Sequence, residues 1–405
     1  MANTFATTSI VAKESLAILK NMLTFSKNVN RDWEDEFTSN MSRGYAPGTT
    51  INIKKPPRYT YRTGRVAVPQ DTTETTVPLT LTQGGTDLQA YGIERTLSLT
   101  KLEKKLMAAV ATVANEIDRQ GCDLARLTTP NVIGTPGTPP NTQALALAAI
   151  TGMNQRLDEA GAPRDRRRSL VMNPAFNANA IQGLAGLFNA SDKISGQYTK
   201  GMMVDSLGLS IDMDQNIVTH TNGTQPVGGG TVNGAGQSGS TINVNTASIT
   251  GTITRGSKIT FANVFAVNPQ SRASTGVLAQ FTVTADVAAA ATSIPISPAL
   301  TPSGAFQNVT NSPANTAVVT IFGSASGTYS ANVAFHEDAF MLAMVPMFYP
   351  DGKRGVVNVS MESDDGFTVK VTEFYDGIQD NYIMRLDVLF GWAATYPELS
   401  CLYAT

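Results

Sequence analysis

Between residues 221 and 335 the sequence almost stops using charge. Only Arg255, Lys258, Arg272 and Asp286 are charged in this stretch, while acids and bases are freely mixed on both sides of it. A segment with its own composition reads as a separate folding unit. It is rich in Gly, Ser, Thr, Asn and Val. Short strand-like runs recur at 248–254, 258–267, 280–285, 293–296 and 317–322. Short strands punctuated by turn residues predict a small all-β barrel or sandwich. The glycine-rich lead, 228–239, reads as a mobile loop. Mixed character resumes beyond Phe335. A strand is expected at 369–374 and a turn at Asp376-Gly377. A second strand follows, in which Met384, Leu386, Val388, Phe390 and Trp392 alternate with residues such as Arg385 and Asp387. The β unit is therefore read as an insertion in a host that continues on its far side.

Helical spacing marks the host. Ala12, Leu16, Leu19 and Leu23 form one apolar stripe near the start. That helix is either a terminal arm docking on another molecule or an ordinary first helix. The clearest helix spans 101–126. It opens on a capping box of Thr100 and Glu103, and Leu102, Leu106, Val110, Val113, Ile117 and Leu124 share its stripe. At 1.5 Å per residue it would be about 39 Å long. A second helix at 143–160 should stop at Gly161. Leu170-Val171-Met172 reads as a buried strand, and Asn173-Pro174 as the cap and first turn of another helix. Helix, strand, helix in this order indicates a mixed α/β unit.

Residues 49–100 read as an extended two-stranded excursion rich in Thr, Val, Tyr and Pro, with Gly84-Gly85 as a turn. Its first half is basic: Lys54, Lys55, Arg58, Arg62 and Arg65. An isolated hairpin is marginal in water, so this one is expected to lie on a neighbouring subunit. The arginines would then pair with acidic groups there. A second charged cluster, Asp32, Glu34, Asp35 and Glu36 around Trp33, follows the first helix, and these four acids with Arg58, Arg62 and Arg65 are the candidate intersubunit contacts.

Chemistry is sparse. The chain has two histidines, His220 and His336, and two cysteines, Cys122 and Cys401, none at metal-ligand spacing. Two thiols indicate a reducing compartment without a disulfide framework. The run Gly234-Ala235-Gly236-Gln237-Ser238-Gly239 matches a dinucleotide glycine pattern, but a strand and not a helix should follow it. Asp212, Asp214 and Asn216 imitate the start of a calcium loop, yet Ile217 stands where that loop needs glycine. Arg164, Arg166, Arg167 and Arg168 form the strongest basic run, read as a solvated loop or a source of intersubunit ion pairs. Charged residues make up 15% of the chain and the net charge is −2, so no strong field draws it toward nucleic acid or membrane. No N-terminal signal peptide is expected. The longest apolar stretch, 339–349, is too short to span a bilayer. No cofactor and no catalytic set are expected.

The order of parts resembles the HK-97-like fold of tailed-phage major capsid proteins: terminal arm, long hairpin, long helix, mixed α/β unit and final β-hairpin. The branch it is most similar to is the P-22-type coat protein with an inserted β-barrel. Four strings carry the likeness: Ser169-Leu170-Val171-Met172-Asn173-Pro174, Arg255-Gly256-Ser257-Lys258-Ile259-Thr260-Phe261 with residues 264–269, Ala334-Phe335-His336-Glu337-Asp338-Ala339-Phe340, and residues 385–397. The resemblance implies an α+β chain. Its parts would be an N-terminal arm (1–47), an extended E-loop (48–96), a peripheral P-domain with the spine helix (97–130 and 351–405), an axial A-domain (131–220 and 336–350) and an inserted barrel (221–335). It further implies hexamers and pentamers forming an icosahedral shell around double-stranded DNA, with scaffolding and portal proteins as partners and no membrane association. The shell would be assembled in the host cytoplasm. Two other classes stay open: a decoration or tail subunit, and a capsid-fold enzyme in which Lys54 or Lys55 joins a neighbour covalently.

Overall fold

Side-chain period turns most directly into structure in the helices. The computed structural model describes residues 8–32, 49–91 apart from 63, 68 and 73, then 102–184, 207–347, 356–364, 367–378 and 381–405. Helix α1 is Thr8–Met22, α2 Leu102–Thr128, α3 Gln143–Glu159 and α4 Pro174–Leu184. Helix α3 starts at Thr142, whose side chain accepts from Leu145 N–H. It ends with Gly161 at φ +80°. There Gly161 N–H donates to Asp158 O and Ala162 N–H to Leu157 O, satisfying carbonyls that the helix leaves open. Asn173 caps α4 by accepting from Phe176 N–H at 2.7 Å. Val110, Val113 and Ile117 of the α2 stripe are buried; Thr100 of the expected cap lies outside the described residues.

The chain forms two compact units: Met1–Ile53, Thr76–Gly121 and Met341–Ala393 make one, and Lys54–Thr75, Cys122–Phe340 and Ala394–Thr405 the other. In the first, β1 (Thr50–Lys55) pairs with β2 (Thr75–Thr80). A five-stranded sheet holds β15 (Phe340–Met344), β18 (Asn381–Ala394), β17 (Phe367–Asp376) and β16 (Val356–Asp364) in that order, with β3 (Thr82–Tyr91) also paired to β18. Helix α1 packs on β16 and β17 of its own chain, with Ala12, Leu16, Leu19 and Leu23 all buried. The turn after it is pinned to α2. Asp118 accepts from Thr24 N–H at 2.6 Å, from Ser26 N–H at 3.0 Å and from the Ser26 hydroxyl.

Three sequence expectations fail in this unit. Gly84-Gly85 is no turn. It lies inside β3, opposite Val388 and Asp387, where a Cβ on Gly85 would sit 2.2 Å from Leu386 O. The glycines mark a close crossing of two strands. Secondly, the hairpin base is not isolated, because Ile51, Ile53, Leu79 and Leu81 are buried with Met341, Ala343, Val345 and Ala393 of the same chain. Thirdly, residues 340–344 join the five-stranded sheet instead of the axial unit containing 131–220.

The second unit is built on a mixed sheet. Its order is β4 (Asn131–Gly134), β19 (Ser400–Ala404), β14 (Thr328–His336), β5 (Arg168–Met172) and β6 (Ser210–Met213), with β7 (Thr219–Thr221) also on β14. Helices α3 and α4 cover it, burying Ile150, Met153, Leu157, Phe176 and Ala180 against Leu170, Met172 and Cys401. Residues 400–404 thus belong here and not with the peripheral segment. The second sheet is β8 (Gly230–Thr231), β13 (Val318–Ile321), β10 (Lys258–Val267), β11 (Ser274–Val283), β12 (Ser293–Leu300) and β9 (Gly239–Asn243). Its ends meet: Val232 bridges Val244, Asn233 N–H donates to Asn243 O and Asn245 N–H to Thr231 O. The sheet is therefore a closed barrel, which leaves no open edge. Ile259, Phe261, Phe281, Val283, Ile294 and Val319 are among the residues filling it.

The barrel enters and leaves through β7 and β14, where Thr221 pairs with Thr328. Strand β14 belongs to the mixed sheet, so the insertion ends near residue 327, short of 335. The lead at 228–239 is not a loose loop, since β8 and part of β9 lie in it. The Gln237 side chain holds its turn, donating to Asn233 O at 2.7 Å and accepting from Asn243 N–H at 2.6 Å.

Candidate functional site

Among the described residues of the distal hairpin, 56–74, no strand is formed, and side chains join its two halves. Gln70 accepts from Thr60 N–H at 2.7 Å and returns a bond to Thr60 O at 2.7 Å. Tyr59 and Thr72 hydroxyls lie 3.1 Å apart, and Lys54 pairs with Glu74 at 2.9 Å. The tip so formed exposes Arg58, Arg62 and Arg65 along one short stretch, together with Tyr61 at 92% exposure and Val66 at 81%. Arg62 bonds locally to Gly64 O, and the Arg58 guanidinium lies 5.8 Å from the centre of the Phe306 ring. Of the acidic candidates, Asp32 closes a local turn, accepting from the Asn30 side chain at 3.1 Å while its N–H donates to Asn30 Oδ1 at 2.8 Å. Glu34, Asp35 and Glu36 lie outside the described residues.

A second constellation was not anticipated from the sequence. Helix α2 ends at Thr128, and Pro130 just beyond it has no N–H, so Arg126 C=O loses its i+4 partner. Lys258, 1% exposed, reaches from the barrel to supply it. Its Nζ donates to Arg126 O at 2.8 Å and to Thr282 Oγ1 at 3.0 Å. The Thr282 hydroxyl in turn donates to Thr129 O at 2.8 Å. Gln280 pairs with the main chain of Val132 in both directions, at 2.8 and 2.9 Å. Arg126 Nη1 lies 2.9 Å from His220 Nδ1, and His220 Nε2 lies 3.2 Å from Ser257 Oγ. The barrel is therefore joined to the helix end by a buried polar network.

Burial, with Arg126 beside it, holds the Lys258 amine well below the usual lysine range. Burial first, and then the charges of Arg126 and Lys258, push His220 down to about 4. Gly256 fits where a Cβ would lie 3.3 Å from His220 Cε1 and 3.2 Å from Leu127 Cδ2. The signal was present in the sequence: one of four charges in the apolar block, and a proline four residues beyond Arg126. Nothing local connects the two.

The other candidates resolve into structural roles. Arg168 is buried and ties Asp158 at 2.8 Å and Pro163 O at 2.9 Å. Arg164 binds the same Asp158, holding its carboxyl below the usual range. Arg167 pairs with Glu337 at 3.4 Å. The basic run thus makes ion pairs within the subunit. His336 is buried, caps the short helix Glu337–Ala339 and lies 3.1 Å from Asp165. Cys122 and Cys401 are buried free thiols, and burial pushes that of Cys401 up to about 12. Residues 234–239 lead into strand β9, so no helix N-terminus is available for a pyrophosphate. Asp214 bonds Asn216 N–H at 2.8 Å, a local turn. Among the described residues no group of three His, Cys, Asp or Glu side chains could hold a metal. No helix among them is long and apolar enough to cross a membrane.

Comparison with known proteins decides the family. The family model described as P22 coat protein, gene protein 5, matches residues 68–402. The chain belongs to the P22 coat protein family. No curated protein matches it. Among solved structures it is similar to a chain of Mycobacterium phage Che8, with TM-score 0.50 and 14% identity over 94% of this chain and 90% of that one. It is also similar to the capsid of cyanophage P-SCSP1u, with TM-score 0.43 and 11% identity over 88% of this chain and 83% of that one. The fold is α+β and HK-97-like, and this member of the coat-protein family is a major capsid protein, a structural subunit of the phage shell. The matched span includes β2 and β3, the whole barrel and the first three residues of β19 but begins beyond Arg58, Arg62 and Arg65.

Proposed function

We propose that the chain assembles as hexamers and pentamers into an icosahedral shell around double-stranded DNA, helped by a scaffolding protein and closed by a portal. Assembly would take place in the host cytoplasm. The coat-protein match over residues 68–402 carries this reading. In it, α2 is the spine helix, the five-stranded sheet with α1 forms the peripheral domain, and α3, α4 and the mixed sheet form the axial domain. The β1–β2 hairpin is the E-loop. The barrel is an outward-facing module that stabilises the subunit and touches neighbours in a capsomer. The subunit has no catalytic role. A decoration or tail subunit has no use for a helix of about 40 Å (27 residues at 1.5 Å each) beside a long hairpin.

Arg58, Arg62 and Arg65 are exposed at the tip, so they are assigned to acidic groups on a neighbouring subunit. Each exposed pair contributes only about 0–1 kcal/mol, but every subunit repeats it. The test is negative-stain microscopy of the expressed chain with and without scaffold. Closed particles are expected, and replacing the three arginines by Ala should raise the protein concentration at which they appear. A chain that stays monomeric at high concentration under every assembly condition overturns the shell reading. An unchanged threshold in low salt overturns the role of the arginines.

A further inference from the structure

We infer that the basic hairpin tip is latched onto its own barrel in the unassembled subunit, and that this contact restrains assembly. The inference rests on the shell reading and adds a regulatory step to it. Its starting point is where the tip goes. Residues 54–75 associate with the barrel-bearing unit, whereas the strands at the hairpin base do not. Three contacts hold them there. Arg272 donates from Nη2 to Tyr59 O at 3.4 Å. The Arg58 guanidinium stands over Phe306 at 5.8 Å. Lys55 Nζ stands over the Tyr396 ring at 4.9 Å.

The receiving side is shaped for this. Arg272 has φ +57°, a left-handed conformation that costs free energy in a side chain with a Cβ. A tight turn imposes it, through Arg272 N–H to Asn268 O at 2.9 Å and Asn268 N–H to Ala273 O at 2.9 Å. The turn projects the guanidinium toward the hairpin. Its Nε finds no hydrogen-bond partner among the described residues, so the site is only partly satisfied.

The latch is also built to open. A hydrogen bond and two cation–π contacts span a cleft of about 1370 Å³ among the described residues. Cation–π contacts at exposed sites are weak, and a hydrogen bond of 3.4 Å is near the limit. Such a closure holds the population on one side by a modest factor. That is enough to matter, because apparent affinity falls in proportion to the competent fraction. The two fates of the tip compete. While Arg58 lies on Phe306 of its own chain, the tip is held against its own barrel and is not available to lie along a neighbour.

The test weakens the receiver and leaves the hairpin intact. Phe306→Ala with Arg272→Ala removes two of the three contacts from the barrel side. In the unassembled chain, limited trypsin digestion should cut the Arg58–Tyr59 bond several-fold faster in the variant. Cuts after the exposed Arg62 and Arg65 should change less. The threshold concentration for particles should fall several-fold. Equal cleavage at Arg58 in both chains overturns the latch. Faster cleavage with an equal or higher threshold overturns the restraint on assembly. If neither chain forms particles, the shell reading has failed and the restraint falls with it, while a difference in cleavage would still report the contact.

Discussion

Acid should loosen the joint between the barrel and α2, and His220 should be the cause. His220 is 1% exposed. It faces the Arg126 guanidinium and the Lys258 amine, and its ring lies 5.3 Å from that of Tyr329. Its folded-state value is about 4 instead of 6.5. A depressed histidine is neutral in the fold at pH 7, and the unfolded chain is the first to take up the proton as pH falls. Stability is therefore fully present above pH 6.5 and is lost down to about pH 4. At about 1.4 kcal/mol per pH unit of displacement the full loss is about 3 kcal/mol, of which about 2 has gone by pH 5. Domain stabilities of about 5–15 kcal/mol make that a large fraction. The assay is urea unfolding of the full chain from pH 7.5 to 4.5, compared with His220→Gln. The gap between the two curves isolates this histidine from every other titrating group. With ¹³C-labelled histidine, the His220 resonance, assigned by its loss in His220→Gln, should fail to titrate above pH 5. A gap that stays constant across this range, or a His220 resonance titrating near 6.5, would refute the argument.

Two further outcomes follow from the same contacts. Lys258→Met leaves Arg126 C=O without a donor and Thr282 short of one partner, so about 1–3 kcal/mol should be lost in equilibrium unfolding; unchanged stability would mean that the helix end needs no cap from the barrel. Gly85→Ala puts a Cβ 2.2 Å from Leu386 O, which β3 can accommodate only by leaving β18, so the protein should accumulate insoluble while Gly84→Ala, 3.5 Å from a Phe390 ring atom, stays soluble.

How much of this was legible depended on range. The helices were, because a 3.6-residue period and caps such as Thr142, Gly161 and Asn173 act within a few residues. So was the alternation of β18, and the abrupt loss of charge did mark the barrel. The failures all involve partners distant in sequence. A Gly-Gly pair is needed equally by a tight turn and by a close strand crossing, and only the register with Val388 and Asp387 separates the two. The hairpin looked isolated because its core partners, Met341 and Ala343, come more than two hundred residues later. Arg168 looked solvated beside three other arginines, yet strand β5 turns it inward onto Asp158. Of the candidate contacts, the basic set could be placed as an exposed cluster. Its acidic counterpart could not be read from composition, since Asp32 serves its own turn.

The order of the mixed sheet has a consequence for synthesis. Residues 400–404 lie between β4 and β14, parallel to Asn131–Gly134 and antiparallel to Thr328–His336. As the chain leaves the ribosome, β4 and β14 emerge without the strand that separates them. The barrel has no such dependence, since all six of its strands fall between residues 230 and 321, and it can close while its host is still open. At about 5–20 residues per second, β4 waits for its partner for tens of seconds. From the emergence of β14 until residues 400–404 follow, both strands present unpaired N–H and C=O groups on flanks that any extended chain can extend. Nascent subunits are thus most exposed to wrongful pairing late in translation, after the barrel has formed and before residue 404 is in place.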